Sequence, residues 1–161
     1  APEGTPETGV LLDGYAVGKY GDIFGDSTGR LLLKGTRLRF GVRVGEHAFQ
    51  FDSGPEAEGP SPVQALQAAL GGCTAMDVIS ILRKKRQPVT GYEVEVVAER
   101  RLDQHPRMFT RMEIIHRVRG RGINPAAVAE AIELSDSKYC AVHAMLEHAV
   151  AISSRFEITE E

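Results

Sequence analysis

Apolar and polar residues alternate with period two along Leu38-Arg39-Phe40-Gly41-Val42-Arg43-Val44 and again along His47-Ala48-Phe49-Gln50-Phe51-Asp52, with Gly45-Glu46 between the two runs. Successive strand side chains point to opposite faces, so this pattern predicts a half-buried β-hairpin. The period then changes. From Pro62 to about Lys85 the apolar positions are Val63, Leu66, Ala69, Leu70, Cys73, Met76, Val78, Ile79, Ile81 and Leu82, which cover most of the circumference of a helix. Such a helix is expected to be buried on most sides. Ser61 is the expected N-cap and Pro62 suits the first helical position, where no amide hydrogen is needed. Arg83-Lys84-Lys85-Arg86 places cations at the negative end of the helix dipole, a solvated C-terminal cap rather than a phosphate site.

Gly71-Gly72 interrupts this helix at its middle, and each glycine costs about 1 kcal/mol relative to alanine. The expected compensation is a second backbone passing close beside Cys73, at a crossing of two central helices of one chain or of two subunits. Alternation returns in Tyr92-Glu93-Val94-Glu95-Val96-Val97-Ala98-Glu99-Arg100 and in Thr110-Arg111-Met112-Glu113-Ile114-Ile115-His116-Arg117-Val118-Arg119. Charged residues occupy one face of both, as in an antiparallel sheet with one solvated side. Asn124-Pro125 opens a helix to about Leu134, Ser135 to Ser137 is expected to break and recap it, and a second helix runs from about Lys138 to Val150. Ile152 to Ile158 closes the order βαββααβ as a strand. The class is α+β, with no glycine-rich phosphate loop at any strand-to-helix turn.

Residues 1–35 are rich in glycine, proline, threonine and acidic groups, with short apolar pieces such as Tyr15-Ala16-Val17 and Leu31-Leu32-Leu33. They read as an N-terminal extension of turns and short strands, followed by one domain over 36–161. A chain of 161 residues with 42% hydrophobic content is long enough to bury one core. A net charge of −3 argues against a general binder of nucleic acid or anionic membrane. No apolar stretch is expected to reach the roughly 20 uncharged residues of a membrane helix. The first residues also lack a basic segment followed by an apolar one, so a cytoplasmic location is expected.

In a reducing compartment a structural disulfide is not expected. Cys73 and Cys140 are the two cysteines of the chain. They are too far apart in sequence for a Cys-x-x-Cys turn or a zinc knuckle, so the fold must assemble any joint chemistry. They are either buried apolar fillers, which composition alone favours, or reactive thiols. Cys140, placed in the first turn of a capped helix, is where a thiolate is favoured. Cys73, at mid-helix, needs a cation, and Arg37, Arg39 and Arg43 are candidates because arginine stays protonated and presents a fork of donors. His143 would share a helix face with Cys140. With only Cys73 and a distant histidine as further soft ligands, no metal is expected, and His143 is placed at a surface or interface.

Ser61-Pro62, the run Ala68-Ala69-Leu70-Gly71-Gly72-Cys73-Thr74-Ala75-Met76-Asp77-Val78-Ile79-Ser80-Ile81-Leu82, Glu99-Arg100-Arg101 with Pro106-Arg107, and Ser137-Lys138-Tyr139-Cys140-Ala141-Val142 together resemble the OsmC/Ohr family, its YhfA-like branch in particular. The resemblance spans Thr36 to the C-terminus. It implies an OsmC-like fold, with antiparallel β-sheets wrapped around long central helices in an intertwined homodimer. It also implies a thiol peroxidase acting on organic hydroperoxides without a cofactor. Cys73 would be the peroxidatic thiol that becomes a sulfenic acid. Cys140 would be the resolving thiol, and the resulting disulfide would be reduced by an external dithiol such as a lipoyl protein. The family glutamate that orients an activating arginine is missing from Pro62-Val63-Gln64-Ala65. Gln64 is the residue left to hydrogen-bond that arginine, and Arg39 is the best match for the arginine itself. The absent carboxylate leaves a second reading open, a dimeric protein that binds a small hydrophobic ligand with largely structural cysteines.

Overall fold

The computed structural model describes residues 32–35 and 38–161; Arg37, Tyr15-Ala16-Val17 and the rest of residues 1–31 lie outside the described residues. The chain divides into two compact units, one ending at Ala65 and the other running from Leu66 to Glu161.

In the first unit, β1 (Leu32–Lys34), β2 (Phe40–Val44) and β3 (His47–Phe51) form an antiparallel sheet in the order β1-β2-β3. The expected hairpin is β2–β3, with Val44 opposite His47 and Phe40 opposite Phe51. Gly45 takes φ 61° at its turn, a conformation that glycine adopts without steric cost. β1 falls within the extension read over residues 1–35. Beyond β3 the carboxylate of the buried Asp52 accepts the backbone N–H groups of Ser53 and Glu58 and the Nε–H of Arg39. These donors, the Glu58 amide first, hold its carboxyl below the usual range.

Helix α1 (Pro62–Lys84) starts and stops by local chemistry. Ser61 Oγ accepts the N–H of Gln64, and Gln64 Oε1 accepts the N–H of Ser61, a reciprocal capping box. At the other end Arg86 adopts φ 56°, with Gln87 N–H on Leu82 O and Arg86 N–H on Arg83 O, which satisfies the last carbonyls.

Only one stripe of α1 is buried within the chain: Leu70, Gly71, Thr74, Val78 and Leu82. The expectation of burial on most sides is therefore not met inside one chain, where Leu66 and Met76 are exposed, Met76 to 73%. The expectation that no uncharged stretch reaches roughly 20 residues stands, since Asp77 divides the apolar run of α1. By length and composition α1 could nonetheless cross a membrane, because Asp77 is the lone charge between Pro62 and Leu82. A core helix passes the same test, and the buried stripe of α1 packs in the core of its unit. A Cβ on Gly71 would lie 3.0 Å from Val96 Cγ2, so this glycine lets α1 close on a side chain rather than on another backbone. Gly72 has no such neighbour within 4 Å.

The second sheet has the order β4-β5-β6, with β4 (Val89–Arg100), β5 (Phe109–Gly120) and β6 (Ala151–Glu160). β4 and β5 form an antiparallel hairpin, but β6 runs parallel to β5, so this sheet is mixed and not wholly antiparallel as expected. The reason lies in the connection. A parallel neighbour needs a long crossover, and Arg121 to Val150 supplies one made of helix. One face of the sheet carries Met112, Ile114, His116 and Val118 of β5 inward. Val118 joins Val78 and Leu82 of α1 with Ile123, Val128, Ala131 and Ile132 in one core cluster. The other face is the expected solvated one: Arg117 meets Glu93, Glu95 and Glu157, and Arg155 meets Glu113 and Glu157. In the β4–β5 loop Arg100 and Arg101 donate to the carbonyls of Arg107 and Pro106.

The crossover departs from the expected broken helix. Helix α2 (Pro125–Leu134), capped by Asn124 Oδ1 on the N–H of Ala126, passes without interruption into a π turn over Ser135–Tyr139. Cys140 then caps the six-residue helix α3 (Ala141–Leu146). Ser135 to Ser137 do not recap anything; the wider turn absorbs the change of direction, and Cys140 N–H closes it on Ser135 O at 2.8 Å.

Two measurements follow. Gly71→Val is expected to cost about 1–3 kcal/mol by crowding Val96, whereas Gly72→Ala, with open space in the chain, is expected to retain stability or gain up to about 1 kcal/mol of helix propensity; urea unfolding distinguishes the two. The second concerns His116, fully buried beneath the sheet, where desolvation lowers its pKa to about 4. Burial also raises the Tyr92 pKa, so the phenol keeps its proton and donates to His116 Nδ1 at 2.7 Å. Since the unfolded value is near 6.5, the unfolded chain binds the proton first. The stability of neutral His116 is complete above about pH 6.5 and is lost towards pH 4, on the order of 3 kcal/mol in all. Thermal unfolding of wild type and His116→Gln between pH 4 and 7 checks this, the variant lacking that share of the slope.

Candidate functional site

Cys73 lies at the middle of α1, and Asp77 follows one helical turn later on the same side. Cys140 arrives from the other end of the unit at the junction of the π turn and α3. The two sulfurs and a carboxylate oxygen of Asp77 all lie within 4.8 Å of one another. The fold thus brings together both cysteines and adds a carboxylate to which the sequence reading assigned no role. The available signal was a lone acid on an otherwise apolar helix, four residues from a cysteine.

Two further hydroxyls hold this group. Ser135 Oγ donates to Asp77 Oδ2 at 3.0 Å and lies 2.9 Å from Thr74 Oγ1. A carboxylate only accepts, so the single Ser135 proton goes to Asp77 and the Thr74 hydroxyl donates to Ser135. Both hydroxyls are fully buried.

The two thiols differ in environment. Cys73 is half-buried, and Cys140 is buried with 2% exposure. Burial pushes the Cys140 thiol up to about 12, and the nearby Cys73 and Asp77 act in the same direction. The His143 N–H, 3.4 Å from Cys140 Sγ, favours the thiolate but is outweighed. This corrects the expectation that the helix start would make Cys140 a thiolate: desolvation in the core exceeds what one amide at a short helix supplies.

His143 is not the expected surface or interface residue. It is 7% exposed, its Nδ1 lying 3.2 Å from Asp136 Oδ1 and its Nε2 lying 3.6 Å from Glu147 Oε2. Both ring nitrogens face carboxylates, and the His143 ring is not among the ligand atoms of the Cys73–Asp77–Cys140 group, which His143 touches only through its backbone N–H. Asp136 also accepts from Ser154 of β6, at 2.7 Å, tying the π turn to the sheet.

The remaining predicted residues lie in or at the edge of the first unit. Arg39 Nε donates to Asp52 at 2.9 Å and Nη2 to Glu58 at 3.2 Å, and these acids raise its pKa further. Gln64 is committed to the capping box with Ser61. Arg43 lies on β2.

A profile of the OsmC-like protein family matches residues 54–155. The protein YhfA of Escherichia coli K12 is 42% identical over 118 residues, which cover 73% of this chain and 87% of that protein. Among solved structures, a hypothetical protein from Aquifex aeolicus VF5 superposes with TM-score 0.70 at 27% identity, over 81% of this chain and 96% of that one. The organic hydroperoxide resistance protein OhrB of Bacillus subtilis superposes with TM-score 0.57 at 13% identity, over 79% of this chain and 96% of that one, a likeness of fold. With its family profile over most of the second unit, a relative 42% identical across 73% of its length and this shared fold, the chain belongs to the OsmC family.

Proposed function

We propose that this protein is a two-cysteine thiol peroxidase that reduces organic hydroperoxides. The observation that carries the reading is the meeting of Cys73 and Cys140 sulfurs in one site, one half-buried and the other enclosed. In this reading the Cys73 thiolate attacks the O–O bond of the hydroperoxide. An alcohol leaves after taking a proton, and Cys73 becomes a sulfenic acid. Cys140 Sγ then attacks the sulfenic sulfur, water leaves and a disulfide forms. Cys140 must lose its proton in that step, and Asp77, oriented by Ser135, is placed to accept it. An external dithiol, such as a lipoyl protein, returns the two electrons by exchange.

Arg39 is the proposed activating cation. Asp52 and Glu58 orient its guanidinium, which supports that role in the absence of a carboxylate after Pro62. A homodimer completes the proposal. Only 28% of the apolar window of α1 is buried within one chain, and Leu66, Gly72 and Met76 leave an open apolar strip suited to a second copy. The cytoplasm, as a reducing compartment, suits a thiol cycle of this kind.

One observation favours the alternative, a dimeric protein binding a small hydrophobic ligand. Gln64 Oε1 already accepts the Ser61 N–H in the helix cap, and the first turn of α1 carries no carboxylate to pair with an arginine.

The test is the intact mass of reduced protein before and after one equivalent of cumene hydroperoxide, with free thiols alkylated at the quench. Peroxidase chemistry is expected to remove both alkylation sites and leave a product two hydrogens lighter, with a Cys73–Cys140 disulfide. Cys73→Ser should reduce peroxide consumption to background. Cys140→Ser should complete one turnover and stop at a sulfenic acid trapped by dimedone. Two thiols that stay alkylatable after minutes would support the ligand-binding reading instead. For the dimer, Met76→Lys is expected to shift the mass measured by light scattering from two chains to one, through the cost of burying an unpaired charge.

A further inference from the structure

Three groups that can each carry negative charge, Cys73, Asp77 and Cys140, converge within 4.8 Å. Among the described residues Asp77 makes no ion pair; its recorded partner is the neutral hydroxyl of Ser135. Two sulfurs and a carboxylate oxygen so close together are the donor types that bind a divalent transition-metal ion. We propose that the reduced pair forms, with Asp77, a three-ligand site for a borderline-soft divalent cation of the zinc class.

The donor set suits that ion. Thiolate ligands select against magnesium and calcium, and the carboxylate oxygen favours zinc over monovalent copper. Three protein ligands leave the fourth tetrahedral position open, to water or an added ligand. Zinc–sulfur bonds of about 2.3 Å and zinc–oxygen bonds of about 2.0–2.2 Å place ligand atoms roughly 3.5–3.8 Å apart in a tetrahedron. From separations within 4.8 Å, the required closure is on the order of 1 Å. Cys73 and Asp77 are half-buried and can turn towards Cys140, which the His143 N–H holds in place.

Two other features belong to a built metal site. Thr74 and Ser135 orient the carboxylate from behind, the second-layer hydrogen bonding that metal ligands require. Asp77 also lines a surface pocket of about 380 Å³ with Lys84, Glu130 and Tyr139, so one of the three ligands borders solvent-accessible space. The same sulfurs cannot hold a metal and form a disulfide, so occupancy keeps the pair reduced. The site does not depend on the peroxidase reading, because a reduced Cys–Cys–Asp group binds an ion whether or not a hydroperoxide can oxidise it.

The experiment is calorimetric titration of reduced, metal-free full-length protein with Zn²⁺, and with Cd²⁺ followed by its thiolate charge-transfer absorbance. One ion per chain is expected. Asp77→Asn should weaken binding at least about tenfold and Ser135→Ala about 10–100-fold, with circular dichroism confirming the fold of each. Protein first oxidised with diamide to the disulfide should not bind. On the wild type, saturating Zn²⁺ should slow alkylation of Cys73 and Cys140 together, which tests the site without any variant. Absence of binding to the reduced protein, unchanged alkylation, or Asp77→Asn binding as tightly as wild type would each overturn the proposal.

Discussion

Ser135 is the joint on which the arrangement of the second unit depends. Its carbonyl closes the π turn by accepting the N–H of Cys140, and its hydroxyl reaches Thr74 and Asp77 on α1. One buried residue therefore sets both the backbone that delivers the second cysteine and the carboxylate beside the first. Because Ser135 is fully buried, neither bond competes with water. A buried hydroxyl left unsatisfied would cost about 1–3 kcal/mol, so the contact also specifies the register of the crossover against α1.

The π turn is held from several sides. Ser137 donates to the carbonyl of Glu133, and Asp136 accepts from Ser154 while facing His143. Thus two consecutive residues, Asp136 and Ser137, anchor the turn to β6, α3 and α2. An i to i+5 turn is uncommon and recurs at functional sites. Here it lets the chain leave α2 and present Cys140 as the cap of α3, with its sulfur directed to the helix that carries Cys73.

Charge is distributed differently on the two faces of the second sheet. The outer face has cross-strand arginine–glutamate pairs exposed to solvent, each worth little in stability. On the inner face Tyr92 and His116 are a neutral pair: burial keeps the phenol protonated and the imidazole unprotonated, so they share a single hydrogen bond without charge. The same desolvation keeps the Cys140 thiol protonated. Burial thus acts in one direction on these three groups, favouring their neutral forms, while Cys73 is only half-buried.

The sequence by itself determined what neighbouring residues decide among themselves. The Ser61 cap, the Gly45 turn, the Asn124 helix start and the alternation of β4 and β5 rest on interactions within a few positions, and the pattern of types is enough to read them. The cysteine contexts likewise sufficed for the family resemblance. Tertiary structure alone decided the rest, because it depends on groups far apart in the chain. The parallel direction of β6 follows from how the helical crossover returns. The π turn forms because Ser135, Asp136 and Ser154 find distant partners. Cys140 is protonated because packing removes water, an effect larger than the local helix start from which a thiolate was expected. Asp77 gained its place beside both sulfurs only when α1 met the crossover, since no spacing in the sequence encodes a distance between residues 77 and 140.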